Sequence, residues 1–209
     1  MESFLPFFPL NLVVFPSEKL NLHIFEPRYR QLINECLEND LTFGIPSFIN
    51  NKLPGFGTEI KIIELTKRYE DGRMDIKTQG LHVFKILNFQ NPVKNKLYAG
   101  GNVSIIDNSN SYNVPTDELL NQLQKLFSLL ETVFDIDPLL PFFSFQIAHK
   151  IGLSLEDEYK LLIIEDEANR QDFILKHLNA IIPVLVEVDK AKEIIKMNGH
   201  FKNLDPLVF

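Results

Sequence analysis

Between Leu5 and Arg30 the chain reads Leu5-Pro6-Phe7-Phe8-Pro9-Leu10, then Val13-Val14-Phe15-Pro16, then Leu22-His23-Ile24-Phe25-Glu26-Pro27-Arg28-Tyr29-Arg30. That order spells two short strands feeding a helix through a charged corner. Residues 7–15 are almost wholly apolar, which predicts a strand covered on both faces. Residues 20–25 alternate, Leu20, Leu22 and Ile24 against Asn21, His23 and Phe25, as a half-buried strand does. Pro27 suits the first helical position, where its missing N–H removes no bond. Glu26 stands at the positive end of the helix dipole, worth about 0.3–1 kcal/mol. Tyr29, Leu32, Ile33, Cys36 and Leu37 then recur at helical spacing, with Arg28, Arg30, Gln31, Asn34, Glu35 and Glu38 on the other face.

More strands are expected downstream. Phe43 to Phe48 is one, followed by an Asn/Pro/Gly loop from Ile49 to Gly57. The next runs from Thr58 to about Tyr69, and its apolar residues change parity between Ile62 and Ile63, which implies a bulge there or burial on both sides. Asp71-Gly72 predicts a hairpin, and the return strand begins at Met74. Gly80 marks a bulge or corner in it, before Leu81 to Phe89. A last strand spans Leu97 to Ile106. Six short, bent strands favour a small closed barrel over a flat sheet.

The polar stretch 107–113 separates this half from a helical one, so the expected subdomains are residues 1–110 and 111–209. Thr116 caps a helix with Asp117 and Glu118 in its first turn. Its apolar stripe runs Leu119, Leu120, Leu123, Leu126, Phe127, Leu130, Val133 and Phe134. Asp137-Pro138 is expected to start a further helix, ended by Gly152. Ser154 and Asp157 have capping-box spacing. The last helix is expected from about Ala168 to Asn198, stopped at Gly199, and kinked or broken at Pro183.

With 209 residues, the chain can bury a full core without disulfides. A net charge of −7, with no Lys/Arg cluster, argues against a phosphate-binding surface and hence against nucleic acid. Cys36, the single cysteine, is expected to be a buried, inert thiol. No secretory leader is legible, since Glu2 stands where basic residues would and prolines interrupt the first apolar run. No apolar run approaches the roughly 20 residues a spanning helix needs. A cytoplasmic protein with no membrane partner is expected.

Motifs for chemistry are missing. None of the nine glycines is followed by Lys-Ser or Lys-Thr, so no phosphate-cradling loop is present. No Gly-x-Ser-x-Gly elbow marks a serine nucleophile. His23, His82, His149, His177 and His200 are scattered, without Cys-x-x-Cys or His-x-x-x-His pairs. His23, His82 and His149 are expected to be structurally satisfied histidines, and neither cofactor nor metal is expected. Glu156-Asp157-Glu158 and Glu165-Asp166-Glu167 are read as solvated caps rather than acid/base pairs.

The Leu-Pro start, the short apolar strand closed by Pro16, the strand ending in Phe25-Glu26 and the Arg28-Tyr29-Arg30 helix resemble, in order, the start of the Lon protease amino-terminal domain. Phe43-Gly44-Ile45, Gly57-Thr58 before Glu59-Ile60-Lys61-Ile62, and Gly80 before Val83-Phe84-Lys85-Ile86 extend the likeness. Pro16-Ser17 departs from the family's Pro-Gly. The resemblance implies an α+β fold, a PUA-like β-barrel followed by an α-helical bundle. It also implies a stand-alone substrate-recognition module without the ATPase and Ser/Lys peptidase modules of full-length Lon, and therefore not an enzyme. Unfolded or extended polypeptide, or one specific protein partner, is the expected ligand, with an adaptor or holdase role in protein quality control. The alternatives are a PUA-like small-molecule or RNA binder, and a structural subunit docking on a separate ATPase. The candidate binding residues are Phe25, Glu26, Arg28, Tyr29 and Arg30 at the corner, with the loop aromatics Phe48 and Phe56; no catalytic residue is named.

Overall fold

The computed structural model describes residues 2–106, 111–133 and 135–200, with side chains through residue 196. Six strands form one sheet: β1 (Glu2–Phe7), β2 (Lys19–Ile24), β3 (Phe43–Pro46), β4 (Phe56–Arg68), β5 (Met74–Ile86) and β6 (Ala99–Ile105). Their order is β2-β5-β4-β3-β1-β6, and β5 also pairs with β6. Five strands therefore close into a barrel, and β2 lies outside the ring. The long strand β5 makes this possible. One edge pairs with β4, while the other pairs first with β2 (Met74 to Gln79) and later with β6 (Phe84 to Ile86). Gly80 occupies the changeover, where a β-carbon would meet the Phe15 carbonyl. The β4–β5 ladder slips between Thr58 and Ile60 opposite it, and again between Ile62 and Glu64. The second slip is the bulge expected from the parity change, and Ile63 is turned outward. The hairpin at Asp71-Gly72 is as expected, with Gly72 at φ +85° and its N–H donating to the Tyr69 carbonyl at 3.0 Å.

The expected strand over residues 7–15 is displaced. The strand is β1, upstream, and residues 8–18 are irregular apart from a bridge between Leu10 and Ser47. Pro9 and Pro16 cannot donate to a ladder. The segment is nevertheless covered on both sides: Val13, Val14 and Phe15 are buried, and the Thr58 hydroxyl donates to the Val14 carbonyl.

The first helix, α1 (Pro27–Asn39), has proline in its opening turn and buries Tyr29, Leu32, Ile33 and Cys36. The second, α2 (Asp117–Leu129), is capped by the Thr116 hydroxyl, which accepts from the Leu119 N–H at 3.2 Å. It buries Leu119, Leu123, Leu126 and Phe127. The helix ends before Leu130 and Val133, which are exposed. Phe134 and residues 107–110 of the polar stretch lie outside the described residues. The helix expected from Asp137 begins only at Phe143. Residues 137–142 turn, Phe142 takes a left-handed φ of 57°, and α3 (Phe143–Ile147) passes into a 3₁₀ turn ending near Gly152. Pro141 explains the delay, since a helix started at Asp137 would need its missing N–H. Ser154 caps α4 (Leu155–Leu162), accepting from the Asp157 N–H at 3.1 Å.

The last helix, α5 (Glu167–His200), continues through Pro183 without a break and past Gly199. Asp166 caps it, accepting from the Asn169 N–H at 3.1 Å. Glu167 is not the solvated cap expected. It is buried, and one of its carboxylate oxygens takes Nη2 of buried Arg170 at 2.8 Å and the Ser144 hydroxyl at 2.8 Å. The other four nitrogen-borne hydrogens of a buried guanidinium also need acceptors. The carbonyls of Ile164 and Glu165 supply two of them. One apolar cluster joins Val13, Phe15 and Val83 of the barrel half to α2, α3, α4 and α5.

Candidate functional site

Where β2 runs out, the chain turns into α1, and the β4–β5 hairpin folds against that turn. Phe25 is 60% exposed there. Glu26 makes no side-chain cap to α1 and instead accepts from Arg28, Nε at 2.9 Å and Nη2 at 2.8 Å. The Arg28 guanidinium lies 4.5 Å from the centre of the Tyr29 ring, which is buried and stacked on Phe8 with centroids 3.9 Å apart. Arg30 reaches the hairpin, its Nη1 donating to the Asp71 carbonyl at 2.5 Å. Sequence spacing placed five residues at this corner; four are held by these contacts, and the exposed Phe25 ring stacks on His23 with centroids 6.1 Å apart.

The structure adds a cluster that sequence reading missed. Asp75 accepts from the Tyr69 hydroxyl at 2.8 Å and pairs with His23 Nδ1 at 2.5 Å. The bond to His23 first, and that to Tyr69 second, hold the Asp75 carboxyl below the usual carboxylate range. Lys67 and Arg73 flank the Tyr69 ring at 4.4 and 5.1 Å. Tyr69 and Asp75 sit across the Asp71-Gly72 hairpin from one another, a cross-strand relation that its register could have revealed. A groove of about 430 Å³ opens beside them, lined by Asn21, Leu22, His23, Thr66, Asp75, Ile76 and Lys77.

The groove lies over the face shared by β2, β5 and β4, and the outer edge of β2 is on the far side of that strand from β5. Among the described residues β2 pairs with β5 alone. The Leu20 carbonyl points toward β5, accepting from the Thr78 hydroxyl at 2.8 Å, and Leu20 is in register with Thr78. In an antiparallel ladder the facing alternates, so the main-chain groups of Lys19, Asn21 and His23 point away from the sheet. Their side chains are exposed, while Leu20 and Leu22 pack half-buried on the barrel core.

Phe48 and Phe56 do not join the corner. Phe56 lies within β4, half-buried, edge-on to Tyr159 of α4. Phe48 is also half-buried, its N–H donating to the Leu10 carbonyl at 2.9 Å. Their loop is tied to the helical half by Asn50, which donates to Glu156 at 2.7 Å. The Asn/Pro/Gly context belongs to the backbone turns, and the Phe56 ring packs against the helical core cluster.

The titratable side chains at the corner are engaged with one another. Glu26 is engaged by Arg28 and His23 by Asp75, and the Thr66 hydroxyl donates to the Asp75 carbonyl at 2.9 Å. Cys36 is buried elsewhere, under α1, and burial pushes its thiol up to about 12. Among the described residues no group of three or more His, Cys, Asp or Glu could hold a metal ion. No helix among them is long and apolar enough to cross a membrane.

The model of the ATP-dependent protease La (LON) substrate-binding domain family matches residues 4–180. Among solved structures, the fold is similar to a Lon N-terminal domain protein from Xanthomonas campestris, at 23% identity and a TM-score of 0.68, covering 83% of this chain and 98% of that one. It is also similar to the N-terminal domain of the Mycobacterium avium complex Lon protease, at 13% identity and a TM-score of 0.57, covering 85% and 98%. At these identities both likenesses bear on the fold alone. No curated protein matches the chain.

Proposed function

This chain belongs to the ATP-dependent protease La (LON) substrate-binding domain family, and from that premise we propose that it holds extended segments of other polypeptides on the outer edge of β2 without altering them chemically. The observation that carries this reading is the edge itself, unpaired among the described residues, with the main-chain groups of Lys19, Asn21 and His23 facing outward. An extended peptide can satisfy such groups as an added strand, taking affinity from main-chain bonds and selectivity from alternate side chains. Exposed Phe25, at the end of the edge, offers an apolar contact. Lys19 discourages edge-to-edge association of the protein with itself.

In this reading the strand-rich half presents the edge, and the helical half packs on the barrel through Val13, Phe15 and Val83. The protein works as an adaptor or holdase in protein quality control, delivering or shielding chains for proteolysis carried out elsewhere. Its net charge of −7 offers nucleic acid little, and one buried thiol suits the reducing cytoplasm, where we place it.

The test is titration of the full chain into a labelled, permanently unfolded polypeptide. Binding in the low micromolar range, about −7 to −8 kcal/mol, is expected. Asn21→Pro should weaken it at least tenfold while leaving the fold intact, because the N–H that it removes is not part of the β2–β5 ladder. Absence of binding at tens of micromolar, or binding untouched by Asn21→Pro, contradicts the proposal.

A further inference from the structure

The outer edge of β2 is not uniform along its length. Even-numbered residues bond toward β5: the Gly80 N–H donates to the Glu18 carbonyl at 2.9 Å, and Leu20 and Leu22 are in register with Thr78 and Ile76. Lys19, Asn21 and His23 therefore carry the outward-facing N–H and C=O groups. Their side chains share the solvent face of the sheet, while those of Leu20 and Leu22 lie half-buried on the core face.

The two ends of this edge differ in chemistry. At one end, Lys19 is level with Gln79 of β5, and Gln79 is level with Lys61 of β4. Two exposed lysines thus stand in one row, about 10 Å apart at the backbone. Neither ammonium group has a partner among the described residues. The acids nearby are already engaged. Glu18 turns to His149 and the Phe15 N–H, Glu59 accepts from Thr42 and faces His82, and Glu64 holds Lys77. At the other end no lone charge is offered: Asp75 pairs with His23, and Lys67 lies over the Tyr69 ring. The exposed group there is the Phe25 ring, stacked on His23.

We propose that this edge selects one class of extended segment, running antiparallel to β2. An aromatic residue stands opposite His23 and an acidic residue, four positions later, opposite Lys19. Apolar residues at the second and fourth positions face Leu22 and Leu20. The inference rests on the peptide-holding reading above and adds direction and sequence to it. Antiparallel pairing lets Lys19, Asn21 and His23 each exchange both main-chain bonds with the residue opposite, and it is the more stable pairing per residue. Leu20 and Leu22 then take the non-hydrogen-bonded positions, where facing side chains approach most closely. The acid forms a cross-strand ion pair with Lys19, and a basic residue in its place would face like charge. The aromatic residue extends the ring stack of His23 and Phe25.

Two five-residue segments of the same composition test it, each carried in the middle of one uncharged Gly/Ser chain with blocked ends. One reads Phe-Val-Thr-Val-Glu and the other Glu-Val-Thr-Val-Phe. The first should bind the full-length protein about fivefold more tightly, or better. Lys19→Glu should abolish that preference, and replacing the segment's Glu by Lys should restore it. Equal affinities overturn the inference, and so does a preference for the second segment, the order that a parallel strand would favour. If Asn21→Pro still weakens binding in those cases, the edge itself stands and only its selectivity is wrong. Binding of neither segment, or binding indifferent to Asn21→Pro, overturns the edge and this inference together.

Discussion

His149 carries more of the contact between the two halves than a lone histidine on a helical segment suggests. Its Nδ1 lies 2.7 Å from Glu158 of α4, its Nε2 lies 3.2 Å from Glu18 beside β2, and its ring packs against Phe15. The hydrogen bond to Glu18 foremost, and that to Glu158, push its pKa up to about 9 against the cost of burial. A raised value means that the folded state holds the proton more tightly than the unfolded chain. The stabilisation is complete below about pH 6.5 and is lost as pH rises through about 9. Thermal melts from about pH 7 to about pH 10 should therefore show the native protein losing more Tm than a His149→Gln variant. Parallel losses would contradict the assignment. The sequence showed a histidine among apolar neighbours and suggested a satisfied one, which is what the structure contains. Its partner Glu18 is 131 residues away and could not be read. The same limit explains Glu167: three consecutive acids look alike until the fold buries one of them against Arg170.

At the scale of elements, patterns carried by neighbours a few residues apart were legible. The start of α1 at Pro27, the Thr116 and Ser154 caps, the hairpin at Asp71-Gly72 and the slip in β4 all follow from local chemistry. What failed were inferences that ran apolar content into regular structure. Residues 8–18 are buried without being a strand, because Pro9 and Pro16 interrupt the ladder while the core still takes Val13 to Phe15. Pro183 is the opposite case. It was expected to kink or break α5, and the break does not occur, since the helix continues through it. Its exposed position lets the freed Asn179 carbonyl meet water, so the cost is tolerated rather than removed. Pro183→Ala should restore that bond and raise stability by about 1–3 kcal/mol, measured by denaturant unfolding. A loss of stability would show that α5 needs the distortion a proline imposes.

The whole molecule depends on one choice made by β5, which keeps β4 on one edge and divides the other between β2 and β6. Six bent strands signalled a barrel, but not which strand would be left outside it. The closure pairs β1 with β6, nearly a hundred residues apart in sequence, and no local pattern encodes that. The candidate site divides in the same way. Its frame of Phe25, Glu26, Arg28, Tyr29 and Arg30 is a continuous stretch, so the sequence displayed it. The open edge beside it arises only when the barrel closes without β2. The most direct measurement is hydrogen exchange of individual backbone amides with and without saturating unfolded polypeptide. We predict that the amides of Lys19, Asn21 and His23 become at least tenfold better protected on binding, while Leu20 and Leu22, already bonded to β5, change little. Unchanged exchange along β2, with protection gained elsewhere on the surface, would contradict the account.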